Sequence, residues 1–358
     1  MKPPPGKAEV SSELQVAFES DRMVWNGVVA VDGRVFVSGP RWAGGDAPAL
    51  ALLDGAALEP YPDPAWNSWS PGLDPARAFV NVNAIHLDHA GAMWAIDTGA
   101  PDFGADPLPG GPKAVMFDLA ADRVARIYPL DTAVRPGSYV DDIRVNGDHA
   151  YLTDAGGAPA IIVLDMKSGA CRRVLEGIAA VRATPGREVV VGGKLLREPS
   201  GAPLVVNVDP LELSPDGRWF YFGPLSGPWS RIETRLLDDP LQDGAALAAA
   251  VEPWADIPPI GGAVMDADGS LYFTELATDS LKRRDPSGAI NTVIADPCLH
   301  WVDAPFIDAD HAIWLPTPQL DRAPPFNGGR SARINPIALY RLQLPPIVSA
   351  GVRHAIPK

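Results

Sequence analysis

Asp141 and Asp142 stand side by side just ahead of a strand-like run, in the stretch VDDIRVNGDHAYLTDAGG at residues 140–157. Other polar residues hold the same kind of position: Asn26, Asn81 with Asn83, Asp209 and Asp303. Carboxylate and amide oxygens are hard donors and suit calcium or magnesium. Carboxylates gathered without a cation raise one another's pKa. If these positions converge, two chemistries are open. In the first, Asp142, Asp209 and Asp303 hold one divalent cation, calcium by its donors, which polarises a carbonyl while a carboxylate such as Asp209 takes a proton from water. In the second, no metal is needed, and Asp142 or His86 is the base of an isomerase or tautomerase. His86 lies on a strand-like run and His300 precedes Trp301; both titrate near neutral pH in water. The bland readings are a packed or solvated histidine, and an Asp or Asn that caps a turn.

Asn26, Asn83, Asp141, Trp25, Trp301 and His300 are the candidate ligand contacts. Trp25, Trp42, Trp66, Trp69, Trp229 and Trp301 fall in loops or at strand starts, where aromatics line an apolar pocket or pack between sheets. A pocket of that kind without catalysis is the third reading, a small-molecule-binding protein.

The elements that must position these residues recur along the chain. Six units each show two β-rich runs around a turn, at Asp32-Gly33, Ala90-Gly91, Gly147-Asp148, Asp216-Gly217, Asp268-Gly269 and Asp310-His311. The turns are spaced by roughly 40 to 70 residues, and further strand-like runs between them give about four strands per unit. Six four-stranded repeats predict an all-β, six-bladed β-propeller. The innermost strand of each blade runs along the central channel, so residues just before it cluster at one mouth. Residues 1–13 are expected to be a flexible segment and 14–358 one propeller domain. Either LQVAFE at 14–19 or ALYRLQL at 338–344 is expected to complete a blade begun at the other terminus. QDGAALAAAV at 242–251 is the best helix, with Asp243 as its cap. PDFGADPLPGGP at 101–112 is a loop expected over one face of the disc.

Composition excludes several classes. The formal net charge is −14, with none of the basic footprint that a phosphate backbone requires; nucleic acid is not an expected partner. No apolar run reaches the ~18 residues of a membrane span. Cys171 and Cys298 are far apart and read as free thiols, with one long-range disulfide as the alternative. The N-terminus lacks the apolar core of an export signal, which places the chain in the cytoplasm by default and in the periplasm or outside if a leader has been removed. There is no GxSxG elbow, HExxH helix or Gly-rich phosphate loop.

Six segments, taken together, resemble a known family: GRVFVSGPRW (33–42), VNAIHLDHAGAMWAIDTG (82–99), VMFDLAADRVARIYPL (115–130), SYVDDIRVNGDHAYLTDAGG (138–157), LSPDGRWFYFGPLSG (213–227) and DADGSLYFTEL (266–276). The chain looks like a bacterial member of the Yellow / major royal jelly protein family. The resemblance implies a six-bladed propeller, similar in architecture to the calcium-dependent gluconolactonases. It implies for function either ligand binding or small-molecule conversion, since the family includes secreted ligand-binding proteins and pigment-pathway proteins assigned dopachrome conversion. Metal-assisted hydrolysis of a lactone or related ester is the activity expected first. Against the gluconolactonase pattern, Asn26 stands where a glutamate is expected, Pro210 follows Asp209 where Gly is usual, and Gly261-Gly262 replaces Asp-Gly.

Overall fold

The computed structural model describes residues 13–346. Six four-stranded antiparallel sheets are arranged as a β-propeller, as the turn spacing predicted. The innermost strands of blades 1 to 5 are Gly27–Val31, Val82–Leu87, Val140–Asn146, Val208–Leu213 and Ile260–Met265. Blade 6 has a short inner strand, Phe306–Ile307, and is completed by both ends of the chain: Gln15–Ser20 pairs with Ile337–Gln343. The two terminal runs thus share one blade.

The turns explain the blades. Asp32 and Gly33 both take the left-handed conformation, with φ of 51° and 75°, the geometry of a tight hairpin. Apolar faces of neighbouring blades bury against each other. Blades 2 and 3 meet around Ile96, Ile143 and Leu152, and blades 3 and 4 around Ile161, Leu211 and Phe222. The expected helix runs from Gly244 to Ala250, with Asp243 accepting from the Ala246 amide at 2.7 Å. It links the third strand of blade 4 to its outermost strand, Glu252–Ala255. A shorter helix, Thr234–Asp238, precedes it.

The feature that matters for function is repeated at the start of the inner strands. Blades 2 to 5 each carry a register shift there: between Val82 and Ala84, Val140 and Ile143, Val208 and Leu211, and Ile260 and Ala263. A bulge leaves residues out of the ladder and re-aims their side chains. The bulged residues are Asn83, Asp141-Asp142, Asp209-Pro210 and Gly261-Gly262. Pro210 is tolerated inside a strand because a bulge needs no ladder donor. No helix among the described residues is long and apolar enough to cross a membrane. Cys171 and Cys298 form no disulfide, which disposes of that alternative. The expected flexible segment, residues 1–13, lies outside the described residues except for its last position.

Candidate functional site

At one mouth of the channel lies a pocket of about 440 Å³. Its floor is polar: Asn26, Asn83, Asp141, Asp209 and Asp303. Asn83, Asp141 and Asp209 come from the bulged starts of inner strands, Asn26 from just ahead of the blade 1 inner strand, and Asp303 from the segment before blade 6. Its walls are apolar. Trp42, Phe103 and Phe326 form an aromatic trio, with ring centroids 5.0 Å apart for Trp42–Phe103 and 5.2 Å for Phe103–Phe326. Trp301 and Leu204 close the other side. Phe103 belongs to the Pro-rich loop, which therefore does lie over this face. Leu204 belongs to the excursion between blades 3 and 4 that carries a small hairpin, Val190–Val191 with Lys194–Leu195.

The floor is wired by hydrogen bonds whose direction can be read. The Trp42 indole can only donate, and Nε1 meets the Tyr139 hydroxyl at 2.9 Å. Tyr139 must then donate onward, to Asn83 Oδ1 at 2.7 Å. That fixes the Asn83 amide nitrogen toward Asp141, where it donates to Oδ1. Asp141 Oδ1 is thus held as an acceptor. Asp209 borders the same floor, and the two carboxyls bear on each other's ionisation.

Electrostatics agree. Burial pushes the Asp141 carboxyl up to about 7, helped by the charges of Asp142 and Asp154 and opposed by the hydrogen bond from Asp209. Asp209 is held well above the carboxylate range, by burial first and then by the charge of Asp141, its hydrogen bond to Asp141, and Asp303. Asp303 is also raised well above it, by burial and then Asp141, although Trp301 Nε1 donates to Oδ2 at 3.2 Å and the Ala304 amide to Oδ1 at 3.0 Å. Three acids gathered on one floor oppose one another's ionisation.

The donor set is right in kind for a hard cation, being all oxygen. The Asn26 Oδ1 atom is buried without a hydrogen-bond partner. Below the floor is a void of about 30 Å³ bordered by Asn26, Asp141, Asp209 and Asp303, room for a water or two. The placement is wrong, however. Asp141 is engaged by Asn83 and Asp209, and among the described residues no three His, Cys, Asp or Glu side chains are set to hold a metal ion. The residues as placed do not fit a resident cation.

Several expected site residues are elsewhere. Asp142, expected as metal ligand and base, points down the channel: its Oδ2 accepts from Arg144 at 2.7 Å, and Arg144 also binds Glu212 at 2.8 Å. A carboxylate neutralised by an arginine is neither a free base nor a free ligand. His86 lines the opposite mouth of the channel, beside Arg144 and Glu212. Burial first, then the charges of Arg144 and His89, push its pKa well below the usual value, so it is neutral there and remote from the acids. Trp25 is 1% exposed, and its indole donates to the Ala338 carbonyl at 2.9 Å, packing blade 1 on blade 6. His300 is pinned between Asp321, at 3.0 Å, and Asp279, at 3.2 Å. Burial would lower its pKa, but these two carboxylates raise it to about 9; it braces the segment behind Trp301 rather than facing the pocket. Asn26, Asn83, Asp141, Asp209, Asp303 and Trp301 come together as lining of the one pocket. Tyr139, Trp42 and Phe326 were not expected as a group. Tyr139, two residues ahead of Asp141, was the legible one: a Tyr beside a bulged acid is a ready hydrogen-bond partner.

The molecule is thus a six-bladed propeller with an aromatic-walled, acid-floored pocket at one channel mouth. A family model described as "Major royal jelly protein" matches residues 80–315, and the chain belongs to that family. It is 33% identical over 138 residues to "Protein yellow" of Drosophila yakuba and, equally, to that of Drosophila melanogaster. In both cases the alignment covers 35% of this chain and only 25% of the relative, so the chain spans a quarter of the length of these curated relatives. Among solved structures it is similar to a gluconolactonase from Xanthomonas campestris, with a TM-score of 0.52 and 13% identity over 93% of this chain and 89% of the other. A calcium-binding regucalcin from Agrobacterium tumefaciens gives 0.53 and 13% over 91% and 93%. Virginiamycin B lyase from Staphylococcus aureus gives 0.52 and 13% over 92% and 99%. At such identities the likeness is one of fold.

Proposed function

We propose that the chain is a small-molecule enzyme of the channel mouth, hydrolysing a lactone or related ester with Asp141 and Asp209 as its acid–base pair. The observation that carries this reading is that two buried acids, both with raised pKa, lie together on the polar floor of an apolar-walled pocket. Such a pair, with one member protonated, offers a donor and an acceptor on one floor. Asp209, the more strongly raised, hydrogen-bonds the substrate carbonyl oxygen and gives it its proton. Asp141 takes a proton from the water that attacks the carbonyl carbon. As the tetrahedral adduct collapses, the ring C–O bond breaks, the carbonyl oxygen's proton returns to Asp209 and Asp141 protonates the leaving alkoxide. The aromatic trio holds the apolar body of the substrate.

A second reading needs the floor to rearrange from its present placement: the unpartnered Asn26 oxygen, with Asp209 and Asp303 around the small void, would then be the residues to hold one divalent cation, calcium by its donors. The aromatic walls alone support a third, ligand binding without turnover. A metal-free isomerase would use the same pair, with Asp141 rather than His86 or Asp142 as base.

One set of measurements separates these. Lactone hydrolysis is followed with added calcium and with chelator, beside thermal melts under the same conditions. Turnover that survives chelator, and falls at least ~100-fold in Asp141→Asn and in Asp209→Asn, is the expected result. Turnover and stability that both need calcium move the assignment to the cation. Saturable quenching of tryptophan fluorescence by a small aromatic amine, with no turnover of any lactone, moves it to binding.

A further inference from the structure

Far from the channel, blades 4 and 5 enclose a recess of about 400 Å³ lined by Tyr221, Arg231, Trp254 and Arg284, with Pro253 and Pro286 beside them. Tyr221 and Arg231 face each other across the second and third strands of blade 4. Arg284 ends the third strand of blade 5. Trp254 is the common surface: its ring stacks on Tyr221 with centroids 4.1 Å apart, and the Arg284 guanidinium lies 4.4 Å over it. Arg231 lies 4.1 Å over Trp219. Stacking on an indole holds a guanidinium flat and leaves its N–H edge for acceptors in its plane.

A census of donors shows what is missing. Arg231 gives Nε and Nη2 to Glu252, at 3.0 and 2.8 Å, which leaves Nη1. Arg284 pairs with no carboxylate among the described residues; its one hydrogen bond is a 3.4 Å contact to the Asp285 carbonyl. Asp285 turns its Oδ1 to the Ser287 hydroxyl and the Ala289 amide and does not line the recess. The Tyr221 hydroxyl has no hydrogen-bond partner among the described residues. Three donor groups therefore line one recess with no acceptor between them. The setting sharpens the point. The chain carries a net charge of −14, and rim arginines such as Arg22, Arg123 and Arg135 each have a carboxylate. Arg284 stands without one, as do Arg41 and Arg126, and it lies in one recess with a second arginine. Burial works against its charge first, Tyr221 and Asp285 favour it, and Arg231 opposes it.

We propose that this recess is a binding site for a small oxyanion, a phosphate, sulfate or carboxylate group, carried on a flat apolar body that lies against Trp254. The planar fork of Arg284 matches two oxygens of such a group, while Tyr221 and the free edge of Arg231 take the others. The site is separate from the acid-floored pocket and shares no lining residue with it.

The test titrates inorganic phosphate, phenyl phosphate and benzoate at constant ionic strength, reading tryptophan fluorescence. Saturable change is expected, stronger for the aryl anions than for phosphate alone. It falls at least tenfold in apparent affinity in Arg284→Met and survives in Asp209→Asn. Tyr221→Phe keeps the ring stack and serves as the second variant, with a smaller loss. No saturable change with any probe, or a change that Arg284→Met and Tyr221→Phe both retain, overturns the assignment.

Discussion

Asp141 and Asp209 lie on one floor, so the ionisation of each bears on that of the other. In the unfolded chain an aspartate titrates near ~3.9. In the fold Asp141 is raised to about 7, and Asp209 and Asp303 well above the carboxylate range. Between those limits the native state binds more protons than the unfolded one, so stability is fully present below the unfolded value and is lost as pH rises through the native one. Thermal melts from pH 4 to 8 should therefore show the melting temperature falling toward the upper end. Asp209→Asn removes one of these raised acids and should flatten that fall. A melting temperature that rises steadily from pH 4 to 8 in the wild type, with no difference in the variant, would mean the acids are ionised throughout. The same residues set the limit of legibility. Asp141 and Asp142 are adjacent and chemically identical, and strand alternation sends neighbours to opposite faces. Which one meets Asp209 is decided by a bulge, and the sequence does not announce a bulge.

The inner strands were readable as strands because their turn residues need left-handed backbone; their bulges were readable only in hindsight, from Pro210 and Gly261-Gly262. The two glycines are the clearest case. A Cβ on Gly261 would stand 2.0 Å from the Val302 carbonyl oxygen, and one on Gly262 would meet the Asp303 carbonyl oxygen at 2.6 Å. The segment that delivers Asp303 to the floor runs directly against blade 5, and Thr274 ties it there through a 2.7 Å hydrogen bond to the Val302 carbonyl. An Asp-Gly pair in the gluconolactonase manner has no space here. Blade 5 thus gives up its own acid to seat that of blade 6. Gly262→Ala should cost about 3 kcal/mol or more, by displacing backbone rather than a side chain. It should also unseat Asp303, so denaturant melts and ligand affinity should worsen together. If stability is unchanged, the two segments are not packed as closely as these distances require.

The whole ring depends on how its ends meet. Gln15–Ser20 supplies the outermost strand of blade 6, whose next strand, Ile337–Gln343, comes from the opposite end of the chain. The sequence offered both runs as candidates for closure, and the fold uses both. Closure is what makes the channel mouth a fixed geometry: Asp303 precedes blade 6, Asn26 precedes blade 1, and the Ala304 amide donates to the Asn26 carbonyl at 3.1 Å across the seam. A ring sprung at that seam would separate Asn26 and Asp303 from Asp141 and Asp209. Removing residues 1–20 leaves an unpaired edge on Ile337–Gln343 and uncovers the packing of Phe18 around Trp314, Trp25 and Leu339. The expected loss is several kcal/mol of ladder and burial, read as a melting temperature lower by about 5 °C or more and a tendency to self-associate. A synthetic peptide of residues 13–21 should restore part of it by strand addition. The truncated ring should lose ligand affinity at the mouth in parallel with the melt, since the seam crosses the site. A truncation that melts unchanged and binds unchanged would mean that blade 6 closes the ring with three strands, and that the seam does not hold the acids together.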